Sequence, residues 1–266
     1  MSVWNRKLAL AICAVGRPAF PSVLEDALAS LVPFRVCMVF SYDGKDKPRS
    51  LYHNMAPEVA SIVVKDYAAG PYLLDPFYTE LRAGRREGVF YLRELAPDGF
   101  FRSEYYLKHY RRTAIRDEMG IPATIAEGVT AVVSIARTME SAVFTRAERA
   151  RFADVAPVVQ ALMTAHWRQT EAAQPLAAPA EQPELDHVLR RMAGNLLTAR
   201  EIEVIALVLK GYSAAAIAAG LEISEGTVKV HRKNAYRKLG ISSQAQLFSR
   251  FIVSAGETSS VMAKPS

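Results

Sequence analysis

The chain has 266 residues, 50% of them hydrophobic, which is enough for two domains with well-filled cores. Its formal net charge is +6, and the whole excess lies within 187–253, where ten lysines and arginines accompany four glutamates. Residues 1–186 hold 22 basic and 22 acidic side chains. This segregation excludes a uniformly basic protein and is typical of a nucleic-acid-binding module.

Two cysteines, Cys13 and Cys37, are too few for a disulfide framework in a chain of this length. Both lie among apolar residues, so we expect them to pack as small buried side chains. The apolar run at 8–15 is too short and lacks a cleavage site for a signal peptide. No apolar stretch reaches membrane-spanning length. We therefore expect a cytoplasmic protein with no membrane partner.

The first 170 residues alternate between helical and strand-like hydrophobic patterns. The patterns predict helices at 3–15, 21–32, 57–68, 73–83 and 99–112. They predict strands at 35–42, 49–53, 89–95, part of 115–126, and 129–137. A closing helix begins at a capping box of Thr145 and Glu148 and reaches Trp167, with a bend at Pro157. Helices flanking a mainly antiparallel sheet of about five strands predict an α+β sensor and dimerisation domain over 1–170, of the GAF or PAS kind.

Eleven of the 24 aromatic residues lie between Tyr67 and Tyr110. This enrichment favours an aromatic-lined pocket in which tyrosine hydroxyls orient a ligand. An ordinary aromatic core with a dimerisation patch is the alternative, and the sequence does not separate the two. The ligand-pocket candidates are Tyr67, Tyr72, Phe77, Tyr78, Tyr91, Phe101 and Tyr105. Charged residues near them could add polar contacts to the pocket or form surface salt links. Taken singly, each is expected to form a surface salt link, namely Asp75, Glu104, Arg111, Arg112, Asp117 and Glu118.

Residues 171–186 contain five alanines, three prolines, four acidic residues and no basic residue. This composition predicts an extended linker. We place an all-α, four-helix DNA-binding domain after it, at 187–254, and a flexible tail at 255–266. Capping residues mark the ends of its four helices. Thr198 and Glu201 open the first helix, and Gly211 ends it. Ser213 caps the second helix, Ser224 and Gly240 bound the third, and Ser243 and Gln246 open the fourth.

The third of these helices has two chemically different faces. At 100° per residue, Val228, Ala235 and Leu239 fall on one side. The opposite side carries Lys229, Val230, Lys233 and Arg237. An exposed valine between lysines suits a helix in the major groove, where lysines meet guanine O6/N7 or phosphates and an apolar side chain meets the thymine methyl.

The spacing of these residues resembles the LuxR/FixJ/NarL-type helix-turn-helix (HTH). The matching residues are Leu197-Thr198-x-Arg200-Glu201-x-Glu203-Val204, Gly211-x-Ser213, Ile217-Ala218, Leu221-x-Ile223-Ser224, Thr227-Val228-Lys229-x-His231, Asn234 and Lys238-Leu239-Gly240. The resemblance implies base contacts by Lys229, Val230 and Lys233, and phosphate contacts by Thr198, Ser213, Ser224, Thr227, Arg232 and Lys238. It also implies a dimer on palindromic promoter DNA, with residues 244–252 of the fourth helix at the dimer contact.

One departure from the family pattern lies in the second helix. The acidic residue that relatives carry three positions after Ser213 is Ala216 here. A capping box therefore lacks its carboxylate, which removes about 0.5–1 kcal/mol of local stability.

The input signal is less explicit than the DNA-binding unit. Residues 1–60 lack the acidic pair and phosphoacceptor of a phosphorelay receiver. The tryptophan-rich signature of acyl-homoserine-lactone receptors is missing, since Trp4 and Trp167 are the only tryptophans. The chain thus resembles a LuxR solo with a GAF/PAS-like or divergent autoinducer-like domain, with a lactone receptor and a protein-interaction adaptor as alternatives.

No metal-ligand spacing, phosphate loop or nucleophile elbow points to catalysis, so we expect neither an enzyme nor a cofactor. The expected partners are double-stranded DNA, a second copy of the chain, a small-molecule effector and, for an activator, RNA polymerase.

Overall fold

The computed structural model describes residues 2–44, 47–169 and 185–261, with side chains described up to residue 256. The chain forms two units, each built from interleaved segments. The first comprises the described residues of Met1–Ser61, Glu80–Leu95 and Ala114–Gln182, and the second those of Ile62–Thr79, Ala96–Thr113 and Pro183–Ser266. The linker predicted at 171–186 lies outside the described residues except for its last two, and the predicted domain bounds stay predictions.

The first unit contains an antiparallel sheet of five strands. They are β1 Val36–Tyr42, β2 Arg49–His53, β3 Phe90–Tyr91, β4 Ile115–Ala126 and β5 Val129–Thr138. Their order is β2-β1-β5-β4-β3, and each neighbouring pair is antiparallel. The β4–β5 hairpin turns at Glu127-Gly128, where Gly128 has φ +72°, a value that glycine adopts at little cost. The predicted α+β architecture is confirmed.

In the part of the chain that the structure describes, six α-helices precede residue 170. They are α1 Val3–Ala14, α2 Phe20–Ala29, α3 Pro57–Ala60, α4 Pro76–Arg82, α5 Leu92–Leu95 and α6 Arg146–Trp167. The core of the first unit lies between one face of the sheet and α1, α2 and α6, where Phe20, Phe152 and Trp167 are buried beside Val39 and Val133. The capping box of Thr145 and Glu148 opens α6 as predicted. The helix continues through Pro157 to Trp167.

Two predicted elements are wrong in type. The strand predicted at 89–95 is limited to Phe90–Tyr91, because only these two residues pair with β4, and the chain turns into α5 at Leu92. The helix predicted at 99–112 is two short turns, a 3₁₀ turn at Phe100–Arg102 and a π turn at Tyr106–Tyr110. Ser103 separates them in extended conformation, and its Oγ accepts a hydrogen bond from Tyr106 N at 3.1 Å.

Cys13 corrects a further expectation. Its side chain is exposed, because α1 buries Ala11 and Ala14 and turns position 13 away from the core. Cys37 is buried in β1 as expected.

The second unit ends in five helices, namely α7 Leu185–Ala193, α8 Ala199–Lys210, α9 Ala214–Gly220, α10 Glu225–Leu239 and α11 Gln244–Val261. Helix α8 packs against α7, α10 and α11, and α10 also packs against α9. Gly211 and Gly240 end α8 and α10 with φ of 96° and 64°, the left-handed conformation expected of these glycines. Helix α11 continues to Val261, whereas the sequence predicts a tail from residue 255.

Turns of other kinds lie in the first segment of this unit, a π turn that starts at its boundary, Ser61–Asp66, and a 3₁₀ turn at Pro71–Leu74. Within the described residues, we find no helix whose length and hydropathy suffice to cross a membrane.

Candidate nucleic-acid interface

Helix α10 carries the two faces that the sequence predicts. Val228, Ala235 and Leu239 are buried against the other helices of the unit. Lys229 and Lys233 are exposed, and the Val230 side chain between them is 56% exposed. An apolar side chain exposed between two lysines suits the edges of base pairs in the major groove.

The start of α10 is a well-formed cap that presents hydroxyl groups. Ser224 Oγ accepts a hydrogen bond from Thr227 N at 3.0 Å and lies 2.8 Å from Thr227 Oγ1. Glu225 lies 3.9 Å from Lys229 Nζ on the same exposed surface. Because such a loose surface pair contributes little, the Lys229 ammonium can exchange this partner for DNA.

Glu201 joins the first turn of α8 to the last turn of α10. Its Oε2 accepts hydrogen bonds from Thr198 N at 2.8 Å and from Lys238 Nζ at 2.7 Å. Burial raises the pKa of Glu201, but the hydrogen bonds from Lys238 and Thr198 outweigh burial and lower the pKa overall. Two of the residues predicted to contact phosphates, Thr198 and Lys238, are thus also part of an internal network.

The turn between α9 and α10 is fixed by Arg200. Its guanidinium donates to the Leu221 carbonyl oxygen at 2.7 Å and to Glu203 Oε2 at 2.8 Å. Glu222 in this turn has φ +54°. Sequence reasoning noted Arg200 only as a motif position. Its hydrogen bond to the Leu221 carbonyl oxygen joins α8 to the turn that precedes α10.

Helix α9 begins at Ser213, whose Oγ accepts a hydrogen bond from Ala216 N at 3.1 Å. The N–H of Ser213 itself donates to Asp98 Oδ1 at 2.9 Å. Sequence reasoning missed Asp98. The only signal in the sequence is Ala216, which leaves the Ser213 N–H without the carboxylate that completes a capping box.

The aromatic candidates separate into groups. Five of them, Tyr67, Tyr72, Phe77, Tyr78 and Tyr105, are buried in the second unit. The ring centroids of Tyr67 and Tyr72 lie 6.2 Å apart, and those of Tyr72 and Tyr78 lie 5.1 Å apart. Phe101 is half-buried, and its ring centroid lies 5.2 Å from that of Tyr106.

Tyr91 is the remaining pocket candidate. It belongs to the first unit, where its hydroxyl donates to the Arg149 carbonyl oxygen at 3.0 Å and its ring packs against the helical side of the sheet. Tyr91 therefore belongs to a different unit from the other pocket candidates.

A buried polar cluster lies among the aromatic rings of the second unit. Asp75 accepts hydrogen bonds from the Tyr67 hydroxyl and from Phe77 N, both at 2.7 Å. Burial raises the pKa of Asp75 to about 6, against the effect of these hydrogen bonds. The ring of His109 lies 5.6 Å from that of Tyr105, and burial together with the Arg112 charge lowers the pKa of His109 to about 4.

The expected surface salt links are wrong for three of the six charged residues. Asp75, Asp117 and Glu118 are buried, because each carboxylate lies in a segment packed within its unit. Asp117 accepts a hydrogen bond from Phe144 N at 2.9 Å and lies 3.4 Å from Arg93 Nε. Arg112 forms the expected kind of surface pair, with Asp66 Oδ2 at 3.3 Å.

Comparison with known proteins places these features in a family. The profile of the bacterial regulatory proteins of the luxR family (GerE) matches residues 195–251. A protein of Aeromonas salmonicida, described as an inferred HTH-type transcriptional regulator in the exeN 3′ region, is 34% identical over 186 residues, which are 67% of this chain and 93% of the relative. The chain belongs to the LuxR family. It is thus a LuxR-type transcription regulator.

Two solved structures are similar to this LuxR-family regulator. The ligand-binding domain (LBD) of VqsR from Pseudomonas aeruginosa is 27% identical, with a TM-score of 0.54 over 62% of this chain and 97% of that domain. SdiA of Escherichia coli is 17% identical, with a TM-score of 0.45 over 95% of this chain and 97% of its own. Of the two kinds of N-terminal domain that the sequence leaves open, the VqsR similarity favours one related to the ligand-binding domains of LuxR-type regulators.

Proposed function

We propose that this LuxR-family regulator binds palindromic promoter DNA as a dimer and reads the major groove with Lys229, Val230 and Lys233. The observation that carries the proposal is the 56% exposure of Val230 between two exposed lysines, on a helix whose opposite face is buried. The lysines would donate to guanine O6/N7, and Val230 would pack against a thymine methyl.

Phosphate contacts would fix the register of the helix on the duplex. The residues expected to make them are Thr198, Ser213, Ser224, Thr227, Arg232 and Lys238. Arg232 and Ser224 are exposed beside the base-reading positions, which supports their role. Lys238 is the least accessible basic member, because its ammonium binds Glu201.

The test is selection of preferred duplexes from randomised DNA with the full-length protein, followed by titrations at several salt concentrations. Lys233→Ala should broaden the selected sequence at one position of each half-site. Arg232→Ala should weaken binding to every duplex and reduce the salt slope by about 1.

A selected complex that survives Lys229→Ala and Lys233→Ala unchanged would contradict the assignment of the recognition helix. Salt-dependent binding with no base preference in the unaltered protein would instead favour an adaptor with weak DNA affinity.

Dimerisation is the second part of the proposal. Two copies on a palindrome place two α10 helices about one DNA turn, roughly 34 Å, apart. On α11, Val253 is 61% exposed directly after the predicted dimer contact at 244–252, which supports a contact through this helix. Analytical sedimentation of the complex should give two protein chains per duplex. Val253→Asp should lower this ratio toward one chain per duplex.

Control by a small molecule is the third part. The buried Asp75 and Tyr67 pair among aromatic rings provides polar groups of the kind that orient a ligand, and the VqsR similarity supports the same interpretation. The effector would act by shifting the population of DNA-competent dimers. For an activator, RNA polymerase would be the next partner.

Native mass spectrometry of the purified protein should detect a co-purified small molecule. Its occupancy should fall in Asp75→Asn and stay unchanged in Asp66→Asn, whose carboxylate is exposed. If the Asp75→Asn variant kept the same occupancy of the small molecule as the unaltered protein, this site would be contradicted.

A further inference from the structure

Asp98 supplies to α9 the acceptor that the sequence of α9 lacks. In a capping box, a carboxylate three residues into the helix accepts a hydrogen bond from the N–H of the capping residue. The residue at that position is Ala216, and the Ser213 N–H donates instead to Asp98 Oδ1 at 2.9 Å. The acceptor therefore comes from a segment 115 residues away in the chain.

The same segment touches the backbone just before α9. A Cβ atom on Gly99 would lie 2.7 Å from the carbonyl oxygen of Gly211. A Cβ on Gly211 would lie 2.8 Å from Phe100 Cα. Both distances are shorter than real Cβ contacts allow, so the approach of these two backbones depends on glycine at both positions.

A second close approach lies elsewhere in the same unit. A Cβ on Gly70 would lie 2.5 Å from the Cβ of Ala255 in α11. Each of the two earlier segments of this unit, 62–79 and 96–113, thus meets the terminal helices at a glycine.

The contact at α9 involves Ser213, a residue that the proposed function assigns to a DNA phosphate. In HTH complexes the helix before the recognition helix, which is α9 here, lies across the DNA backbone. Backbone N–H groups at helix starts bind phosphate oxygens. Here the Ser213 N–H already has an anionic acceptor, and Phe100 lies against Gly211 on the adjoining surface. A phosphate at this amide would have to displace the Asp98 carboxylate, since two anions do not share one N–H.

We propose that the contact of Asp98 and Gly99 with Gly211 and Ser213 is autoinhibitory, and that it must open before α9 can bind a DNA phosphate. The inference rests on the proposed DNA-binding function and adds its regulation. The ionised state of Asp98 is consistent with it, because hydrogen bonds from Ser213 lower the pKa of this carboxyl.

Two substitutions open the contact by different means. Asp98→Ala removes the acceptor. Gly99→Ala adds a methyl group that the Gly211 carbonyl cannot accommodate, while the φ of −99° at Gly99 is ordinary for alanine. Gly256→Ala in α11 is the matched control, since a Cβ there would meet nothing within 4 Å.

The experiment titrates the full-length proteins with the duplex selected by the unaltered protein, at one salt concentration. The proposal expects Asp98→Ala and Gly99→Ala each to lower the dissociation constant about three- to tenfold, the range that corresponds to losing one modest hydrogen bond. Gly256→Ala should leave it unchanged. Hydrogen exchange at the Ser213 amide should accelerate in Asp98→Ala without DNA present.

The two hypotheses fail in different ways. If either Asp98→Ala or Gly99→Ala fails to tighten binding, or if Ser213 exchange is unchanged in Asp98→Ala, the autoinhibitory contact is wrong. Provided Lys233→Ala still broadens the selected sequence, the proposed function then stands. If neither the unaltered protein nor any variant, including Asp98→Ala and Gly99→Ala, shows a sequence preference, the proposed function is wrong. The autoinhibitory contact, which rests on that function, is then wrong as well.

Discussion

The ammonium of Lys238 lies 2.7 Å from Oε2 of Glu201 and joins the end of the recognition helix α10 to the start of α8. The Glu201 side chain is 4% exposed and that of Lys238 30% exposed, so the pair is largely shielded from water. The same carboxylate completes the capping box of α8 through Thr198 N. The position of α10 therefore depends on a charge pair as well as on the apolar contacts of Val228 and Leu239.

Lys238→Met should destabilise the protein, because it leaves the Glu201 carboxylate buried without its cation. Loss of a charge-assisted hydrogen bond of this kind costs about 2 kcal/mol. Chemical denaturation followed by far-ultraviolet circular dichroism measures the change in the free energy of unfolding.

Arg237→Met is the control for this prediction, since Arg237 is the neighbouring basic residue and is exposed. Its unfolding free energy should stay within about 0.5 kcal/mol of the unaltered protein, although its DNA affinity should fall. Equal stability of the two variants would mean that Lys238 is free to act mainly as a phosphate contact.

Val228 and Val230 form a matched pair on opposite faces of α10. Val228 is 1% exposed and Val230 is 56% exposed. Val228→Ala should lower the free energy of unfolding by about 2 kcal/mol, because it removes two buried methyl groups and leaves a cavity. Val230→Ala should leave stability unchanged and weaken the preference for thymine at one position of the selected sequence, as seen by repeating the selection. The reverse pattern would mean that α10 presents its other face to DNA.

The helices of the DNA-binding unit could be predicted from the sequence because their signals are local. A serine or threonine accepts a hydrogen bond from an amide three residues on, as at Ser213, Ser224 and Thr198. Glycine at 211 and 240 supplies the left-handed residue that ends a helix. Each signal lies within one turn of the element that it bounds, so chain order alone reveals it.

The rest depends on contacts between residues far apart in the chain. Nothing near Asp98 indicates that it accepts a hydrogen bond from Ser213. Asp75 and Asp117 look like surface carboxylates until Tyr67 and Phe144 are placed beside them. The predicted strand at 89–95 fails for the same reason, because only Phe90 and Tyr91 have a partner in β4. Tertiary partners decide burial and strand length, and one sequence does not give them.

The two cysteines should differ sharply in reactivity. Cys13 is exposed on α1, whereas burial raises the pKa of the Cys37 thiol and shields it from reagents. An alkylating reagent should add one group to the native protein, at Cys13, and a second only in denaturant. Peptide mass spectrometry locates the label, and Cys13→Ser should abolish the native reaction. Native labelling of Cys37 would indicate that β1 opens on the timescale of the experiment.

The ion pair of Arg137 and Glu148 should make the first unit sensitive to acid. Arg137 donates to Glu148 Oε1 at 2.5 Å, and both side chains are nearly buried. Burial raises the pKa of Glu148, but hydrogen bonds from Arg137 and Thr145 outweigh it and lower the pKa from 4.5 to about 2. A carboxyl whose pKa is lower in the folded state stabilises that state above its unfolded pKa. This contribution is lost as the pH falls from 4.5 to about 2.

The loss should amount to about 2–3 kcal/mol over that interval, at roughly 1.4 kcal/mol per pKa unit. Both tryptophans, Trp4 and Trp167, belong to the first unit, so tryptophan fluorescence during urea titration reports its unfolding at each pH. Glu148→Gln should lower stability at neutral pH and reduce the slope below pH 4.5. Glu140→Gln, which removes an exposed carboxylate of the same unit, should follow the unaltered protein. A Glu148→Gln curve parallel to that of the unaltered protein would show that other groups cause the acid sensitivity, because a carboxyl that is absent cannot bind a proton.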